Sequence, residues 1–340
     1  MSLLKYIGRR IFLGVFVLLG LSIVIFIIAR VVPGDPARLS VGSTASDEAY
    51  QLARKSMHLD DPMVKQYGYW LNGVLQGDFG TSITTKRNVI EDIKDFLPAT
   101  LELVLLSALL MISFSILFGS LSARYRNRWP DTIIRVLSYT GIAIPAFIMA
   151  VLLLLVFGYY WKVIPVIGRL SYGYSAPPRI TGMYVFDSLL ARDFSTAWNA
   201  LLHLFLPAVS LAIAGIFQEA RIIRTAISDN MNKDYVTAVT GYGVPQKIVF
   251  FKYLLKPSMI PAVSVMGMDI ASLMTNAFLV EVIFTWPGIS RYGMNAMMGK
   301  DLNAISAVII LFGLMFVMIN IIVDIIVSYL DPRIRLGGGI

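Results

Sequence analysis

Long apolar runs are interrupted by carboxylates, among them Glu102, Asp269, Glu281 and Asp324. A charged side chain inside a bilayer is expensive, so an acid there is by default a candidate for an ion path, a substrate contact or a buried pair. Glu102 and Glu281 fall near the ends of their runs, where the cost is small. Asp324 also lies near the end of its run and is expected to pair with a basic residue. Asp269 sits deepest. It either lines a path through the bundle or pairs with a polar group on a partner subunit. Other chemistries find little support. Cysteine is absent and only His58 and His203 are present, which excludes disulfides and thiolate chemistry and leaves a poor donor set for a metal. The stretch Gly293–Asp301 imitates a nucleotide-binding P-loop, with one residue too many and Asp301 where the motif needs a hydroxyl. It is read as chance, so no ATP site is expected in this chain. No arrangement of acids or His and Glu suits an intramembrane protease.

The elements that must carry these residues are long apolar helices. The 340 residues are 57% hydrophobic and only 15% charged, and a soluble fold would have to expose much of that apolar surface. Six stretches reach the roughly 20 apolar residues that a bilayer crossing needs: 11–32, 101–123, 136–161, 201–226, 260–284 and 304–330. Pro145 and Pro207 lie inside the third and fourth, and are expected to kink helices that face a packed interior. The first run is too long for a cleavable signal and has no A-x-A-like site behind it, so it is read as a retained helix.

Basic residues alternate along the chain. Lys5, Arg9 and Arg10 precede the first span, and Arg124, Arg126, Arg128 and Arg135 follow the second. A third group runs from Arg221 and Arg224 through Lys233, Lys247, Lys252 and Lys256, and Arg333 and Arg335 close the chain. The positive-inside rule then puts both termini on the cytoplasmic side and spends the net charge of +8 on orientation rather than nucleic acid. Three segments face outward. The first, 33–98, carries Tyr67, Tyr69, Trp70, Leu71, Val74 and Leu75 at helical spacing and is expected to hold short helices over the outer face. The second, 163–199, has an amphipathic piece near Phe186–Leu190. The third is short and holds the turn Trp286-Pro287-Gly288. Pro33, Gly34 and Pro36 are read as turn-formers leaving the first helix, and Gly337–Gly339 as a flexible tail.

Between the fourth and fifth spans, Asp234 to Pro245 reads as a short helix ending near glycine and a turn, with Gln246–Leu255 opening a second helix. By itself this pattern also fits an ordinary interfacial helix. The segment resembles the "EAA" coupling loop of ABC importer permeases, with Gly243 as its glycine and Ala238 and Val239 at the paired small positions, where Val239 is larger than usual. Further stretches resemble the first permease subunit of the dipeptide/oligopeptide/nickel branch: Arg30–Pro36, Leu97–Leu103, Val280–Ile289 and Tyr329–Arg335, in order over nearly the whole chain.

That resemblance implies an all-α polytopic permease of six transmembrane helices, a single domain over 1–340 with an outer insertion at 33–98 and a cytoplasmic coupling loop at 227–258. It implies a homologous second permease, two ATP-binding subunits that hold the ATP and magnesium, and an external solute-binding protein, all at the plasma or inner membrane. Asp234, Tyr235, Ala238, Gly241, Gly243 and Pro245 become the ATPase-coupling candidates. Asp269, Asn276 and Glu281 become the path candidates. Peptides are the expected solute, with oligosaccharides or nickel and its chelates as alternatives within the branch. An intramembrane enzyme and a passive channel are the rivals of a different class, and neither accounts for the coupling-loop match.

Overall fold

A computed structural model describes residues 3–31, 36–42 and 45–330; Pro33, Gly34, Arg333, Arg335 and the glycine tail lie outside it. The described residues are helical with no strand, apart from one isolated bridge between Thr81 and Asn88. In chain order the helices are α1 (Leu3–Val31), α2 (Pro36–Val41), α3 (Asp47–Ser56), α4 (Met63–Leu75), α5 (Val89–Arg124), α6 (Trp129–Ala143), α7 (Ala146–Leu153), α8 (Tyr184–Leu190), α9 (Phe194–Met231), α10 (Asp234–Gly241), α11 (Gln246–Ile248), α12 (Lys256–Ile283), α13 (Ile289–Met298) and α14 (Leu302–Leu330). Wider π-helical turns extend α7 over Leu154–Tyr160 and join α11 to α12 over Val249–Leu255.

Among the described residues, α1, α5, α9, the run Gln246–Ile283 and α14 are each long and apolar enough to cross a membrane. The third expected span departs from the simple reading. Residues 129–160 form two helices that meet at 105°, and they make a sixth crossing only when taken together. Pro145 is the cause. It has no N–H to continue the ladder, and it forces Ile144 into the extended region (ψ 116°). Pro207 behaves differently: it sits buried inside an unbroken α9. Several helices also begin earlier than hydropathy predicts, α5 at 89 rather than 101 and α9 at 194 rather than 201.

The centre of the bundle is the α5–α9 pair. Apolar side chains gain little from leaving lipid for protein, so membrane helices associate through close backbone approach at small residues. Helix α5 buries Ser107, Ser115, Gly119 and Ser122 in this way. A Cβ built on Gly119 would lie 2.8 Å from the Ala220 carbonyl oxygen and 2.8 Å from the Ile223 Cβ. Gly119→Leu is therefore expected to push α9 away and cost about 1–3 kcal/mol or more by overpacking. Thermal unfolding in detergent checks it; a melting point equal to wild type would contradict this packing.

Short helices cap the bundle as expected from the aromatic spacing. Tyr67 on α4 pairs with Ser22 at 2.8 Å and stacks edge-on against Phe26 of α1, which pins α4 to that helix. The Phe186–Leu190 piece is α8. Asp187 on α8 is buried, which works against its charge, yet Thr181 (N and Oγ1), Gly182 N and Ile180 N all donate to it and hold its carboxyl below the usual range. The third connection is more than a turn, because it holds α13. Trp286 is buried there, and its Nε1 donates to the Ala99 carbonyl at 2.9 Å. The imitation P-loop belongs to α13 and the turn after it. Asp301 is buried, accepting from Ser82 Oγ and Thr84 N and capping α14 through Ala304 N, so it ties the start of α14 to the segment before α5.

Two buried ion pairs lock opposite ends. Asp131 at the start of α6 accepts from Arg224 of α9 through both oxygens, at 2.7 and 2.8 Å, and from Ser122 Oγ of α5. At the other end Glu102 of α5 meets Arg169, whose guanidinium also lies over Tyr184 at 3.5 Å. Asp324 pairs with Arg10 at 2.9 Å, joining α14 to α1 near the chain ends.

Candidate functional site

The bend at Pro145 opens the interior. A cavity of about 660 Å³ lies between that bend and helices α5, α9, α12, α13 and α14. Its wall is mostly apolar, with Met111, Pro145, Leu273 and Phe312 among the lining residues, and Gln218, Asp269, Ser272, Thr275 and Asn276 bring the polar groups. A volume in the range of a few hundred to about a thousand Å³, apolar with a few placed polar groups, is typical of a small-molecule site.

Asp269 and Asn276 stand two turns apart on α12, on one face, and both line this cavity. Asp269 is half-buried and accepts from Gln218 Nε2 at 3.1 Å. Glu281 stands elsewhere. It is fully buried at the end of α12, bound by Thr100 Oγ1 of α5 and by the Arg291 N–H at 2.9 Å, and it is not among the cavity-lining residues. A Cβ on Gly288 would collide with its carboxylate, which explains the glycine in the Trp-Pro-Gly turn. Reading the sequence missed Glu219 and Gln218. Both lie in the apolar run 201–226, where the rule that singles out Asp269 would also single out Glu219; Glu219 is fully buried next to Asp269.

The second candidate region is the hairpin 234–245, and its geometry divides cleanly into an anchored face and a free one. Val236, Val239 and Val244 pack into a cluster with Ile223 and Ile227 of α9 and with Val249 and Leu254. Asp234, Tyr235, Ala238, Gly241, Gly243 and Pro245 are all exposed, and Tyr242 is 88% exposed. The helix ends in a full Schellman turn: Val244 N donates to Val239 O at 3.2 Å and Gly243 N to Thr240 O at 3.0 Å, with Gly243 at φ +74°. The turn needs the left-handed conformation, which glycine adopts without strain. Within this chain the space beyond the Gly243 Cα is open, so the glycine also leaves the surface flat for a neighbour. Pro245 then starts the next helix, its carbonyl accepting from Ile248 N and Val249 N.

The hairpin is tied to the membrane helices by a polar chain. Tyr235 Oη donates to Asn230 Oδ1 at 3.2 Å, and Asn230 Nδ2 donates to Ser258 Oγ at 2.8 Å at the foot of α12. Helix α12 carries Asp269 and Asn276. The hairpin and the cavity wall are thus joined through the same helix, α12.

Membrane-length helices around a polar-spotted cavity, with an exposed helical hairpin fixed to their ends, are the parts of a polytopic membrane permease. Comparison with known proteins makes that class specific. The family model described as binding-protein-dependent transport system inner membrane component matches residues 115–336, and the N-terminal model of the same transport-system membrane component matches residues 3–104. The chain is 36% identical over 325 residues to the probable D,D-dipeptide transport system permease protein DdpB of Escherichia coli (strain K12), covering 96% of each chain. It is 33% identical over 335 residues to the dipeptide transport system permease protein DppB of Alkalihalophilus pseudofirmus, covering 98% of this chain and all of that one. The glutathione transport system permease protein GsiC of Salmonella choleraesuis is 32% identical over 334 residues, with 98% and 99% covered. The chain belongs to this family: it is a transmembrane subunit of an ABC importer, a permease of the dipeptide/oligopeptide branch.

Proposed function

We propose that this subunit forms half of a path for short peptides and passes the force of ATP-driven closure into the membrane through residues 234–245. The observation that carries the proposal is the division of that hairpin, with one face buried among α9 and α12 and the other offering Asp234, Tyr235, Ala238, Gly241, Gly243 and Pro245 to a partner. A second, homologous permease completes the path. Two ATP-binding subunits engage the two hairpins and supply ATP and magnesium, and a solute-binding protein delivers the peptide from outside. This chain does no covalent chemistry. Asp269 and Asn276 line the path, whereas Glu281 acts as a clasp between α5, α12 and α13. The whole chain works as one transmembrane permease domain, with 33–98 over the outer face and 227–258 as the cytoplasmic coupling loop. The dipeptide and glutathione substrates named for its relatives support the peptide assignment.

Orientation gives a direct test, because the chain has no cysteine to remove. Lys233 adjoins the hairpin and Asp61 precedes α4. In intact cells, Lys233→Cys should be shielded from a membrane-impermeant thiol reagent and Asp61→Cys should be labelled. In inverted vesicles the pattern should reverse. Labelling of Lys233→Cys in intact cells would put the hairpin on the wrong side for an ATPase and overturn the proposal.

A further inference from the structure

Glu219 has no place in the structural bonding of the bundle. It is fully buried on α9, and neither of its oxygens has a hydrogen-bond partner. The side chain beside it is another acid, Asp269 of α12, within hydrogen-bonding reach. Among the described residues no Lys, Arg or His forms an ion pair with either. Two carboxylates this close repel unless a proton or a cation stands between them. Acids inside a membrane bundle are costly to keep, and a leucine and a glutamine would fill the same space more cheaply.

Asp269 is placed where a solute would meet it, with Glu219 buried directly behind. Asp269 is the one ionisable group among the residues lining the 660 Å³ cavity, and Glu219 backs it from the neighbouring helix. Gln218 Nε2 donates to Asp269 Oδ2 and holds that carboxylate in the wall. The other Asp269 oxygen is left to accept from the cavity, and both Glu219 oxygens lie unpartnered behind it, closed to the cavity until that side chain turns toward a bound cation. An ammonium group carries three N–H donors and no acceptor, which matches that set. The rest of the wall is mostly apolar, so it can accept varied side chains without selecting among them.

We propose that Glu219 and Asp269 together form a receptor for the α-ammonium group of a peptide passing through the cavity. This deepens the peptide-importer reading and rests on it: recognition would be of the free amino end, common to all peptides, and not of any one side chain. When no peptide is present, a proton takes the place of the ammonium between the two acids.

The test is carbodiimide labelling of the complete transporter in proteoliposomes. Dicyclohexylcarbodiimide reacts with protonated carboxyl groups in apolar surroundings, so Glu219 or Asp269 should be modified in wild type and the label should vanish in the E219Q/D269N double variant. Alanine di- and tripeptides at about ten times their dissociation constant should slow the labelling about tenfold, as occupancy of the site requires. The same peptides acetylated at the amino end should not. Equal protection by both sets, protection by neither, or no labelling of wild type would each overturn the inference. ATP-dependent uptake by wild type in the same vesicles separates the two readings. If uptake is present and amine-specific protection is absent, only the ammonium site fails; if uptake is absent, the importer assignment fails with it.

Discussion

Gly243→Asp leaves the membrane bundle assembled and uncouples it from ATP hydrolysis. Gly243 closes the Schellman turn at φ +74° with open space beyond it, so nothing within this chain collides with a new side chain. Aspartate tolerates the left-handed region better than most residues, which keeps the cost to the fold small. What changes is the exposed face: a charged group now projects where the proposed coupling brings an ATPase subunit close. Coupling between sites is typically about 1–3 kcal/mol, a factor of roughly 5 to 150, and a displaced hairpin can lose all of it. Substrate-stimulated ATPase activity and uptake should fall by that order, and the ATPase subunits should leave more readily in detergent. Insertion and pairing with the second permease should persist. Gly243→Ala adds less bulk and should fall between. The same charge at exposed Gln76, at the far end of the bundle, should do little. Wild-type coupling in Gly243→Asp would remove the hairpin from the mechanism.

Arg169→Met should be the most destabilising single change away from that hairpin. Arg169 and Glu102 are both about 7% exposed, and the guanidinium also donates to the Gly182 carbonyl and lies over the Tyr184 and Trp286 rings. Glu102 is further held by the Val185 N–H at 2.6 Å. Removing the arginine leaves a buried carboxylate with no countercharge, which costs about 3–5 kcal/mol. Exchanging both partners for apolar residues of similar size is often close to neutral. Glu102→Met/Arg169→Met should therefore recover much of what Arg169→Met loses. Thermal unfolding of the purified chain in detergent reads both. A single variant within about 1 kcal/mol of wild type, the worth of an exposed pair, would show that the bridge does not hold the α5 end.

Features set by local pattern were legible in the sequence. The apolar runs gave the spans, the aromatic spacing at 67–75 gave α4, and the sequence Asp234 to Pro245 gave a helix, its glycine turn and the next helix start. What escaped depends on partners far apart in the chain. The bend at Pro145 was readable only as a kink, because a proline breaks a helix in one context and sits inside it in another, as Pro207 does. Helix α13 looked like part of a short connection, since its role comes from packing on α5 and α14. Arg169 carries no local signal at all; its significance is a glutamate 67 positions away. Glu219 lies inside the run 201–226, where the rule that singles out Asp269 applies equally; what no local pattern gives is its acidic neighbour, 50 positions away on α12, and its complete burial. Of the path candidates, Asp269 and Asn276 share a cavity because α12 presents them on one face. Glu281, equally acidic and on the same helix, is claimed by Thr100 and the turn after α12.

The central claim is that this chain moves peptides only when ATPases drive it through the hairpin. The direct measurement is uptake of a labelled dipeptide into proteoliposomes that hold this subunit, its partner permease and the ATP-binding subunits, oriented to receive the solute-binding protein. With the binding protein outside and ATP inside, the peptide should accumulate above its external concentration. Omitting ATP, or replacing wild type with Gly243→Asp, should abolish accumulation. Equilibration at the same rate without ATP, with no accumulation when it is present, would describe a passive channel and contradict the account.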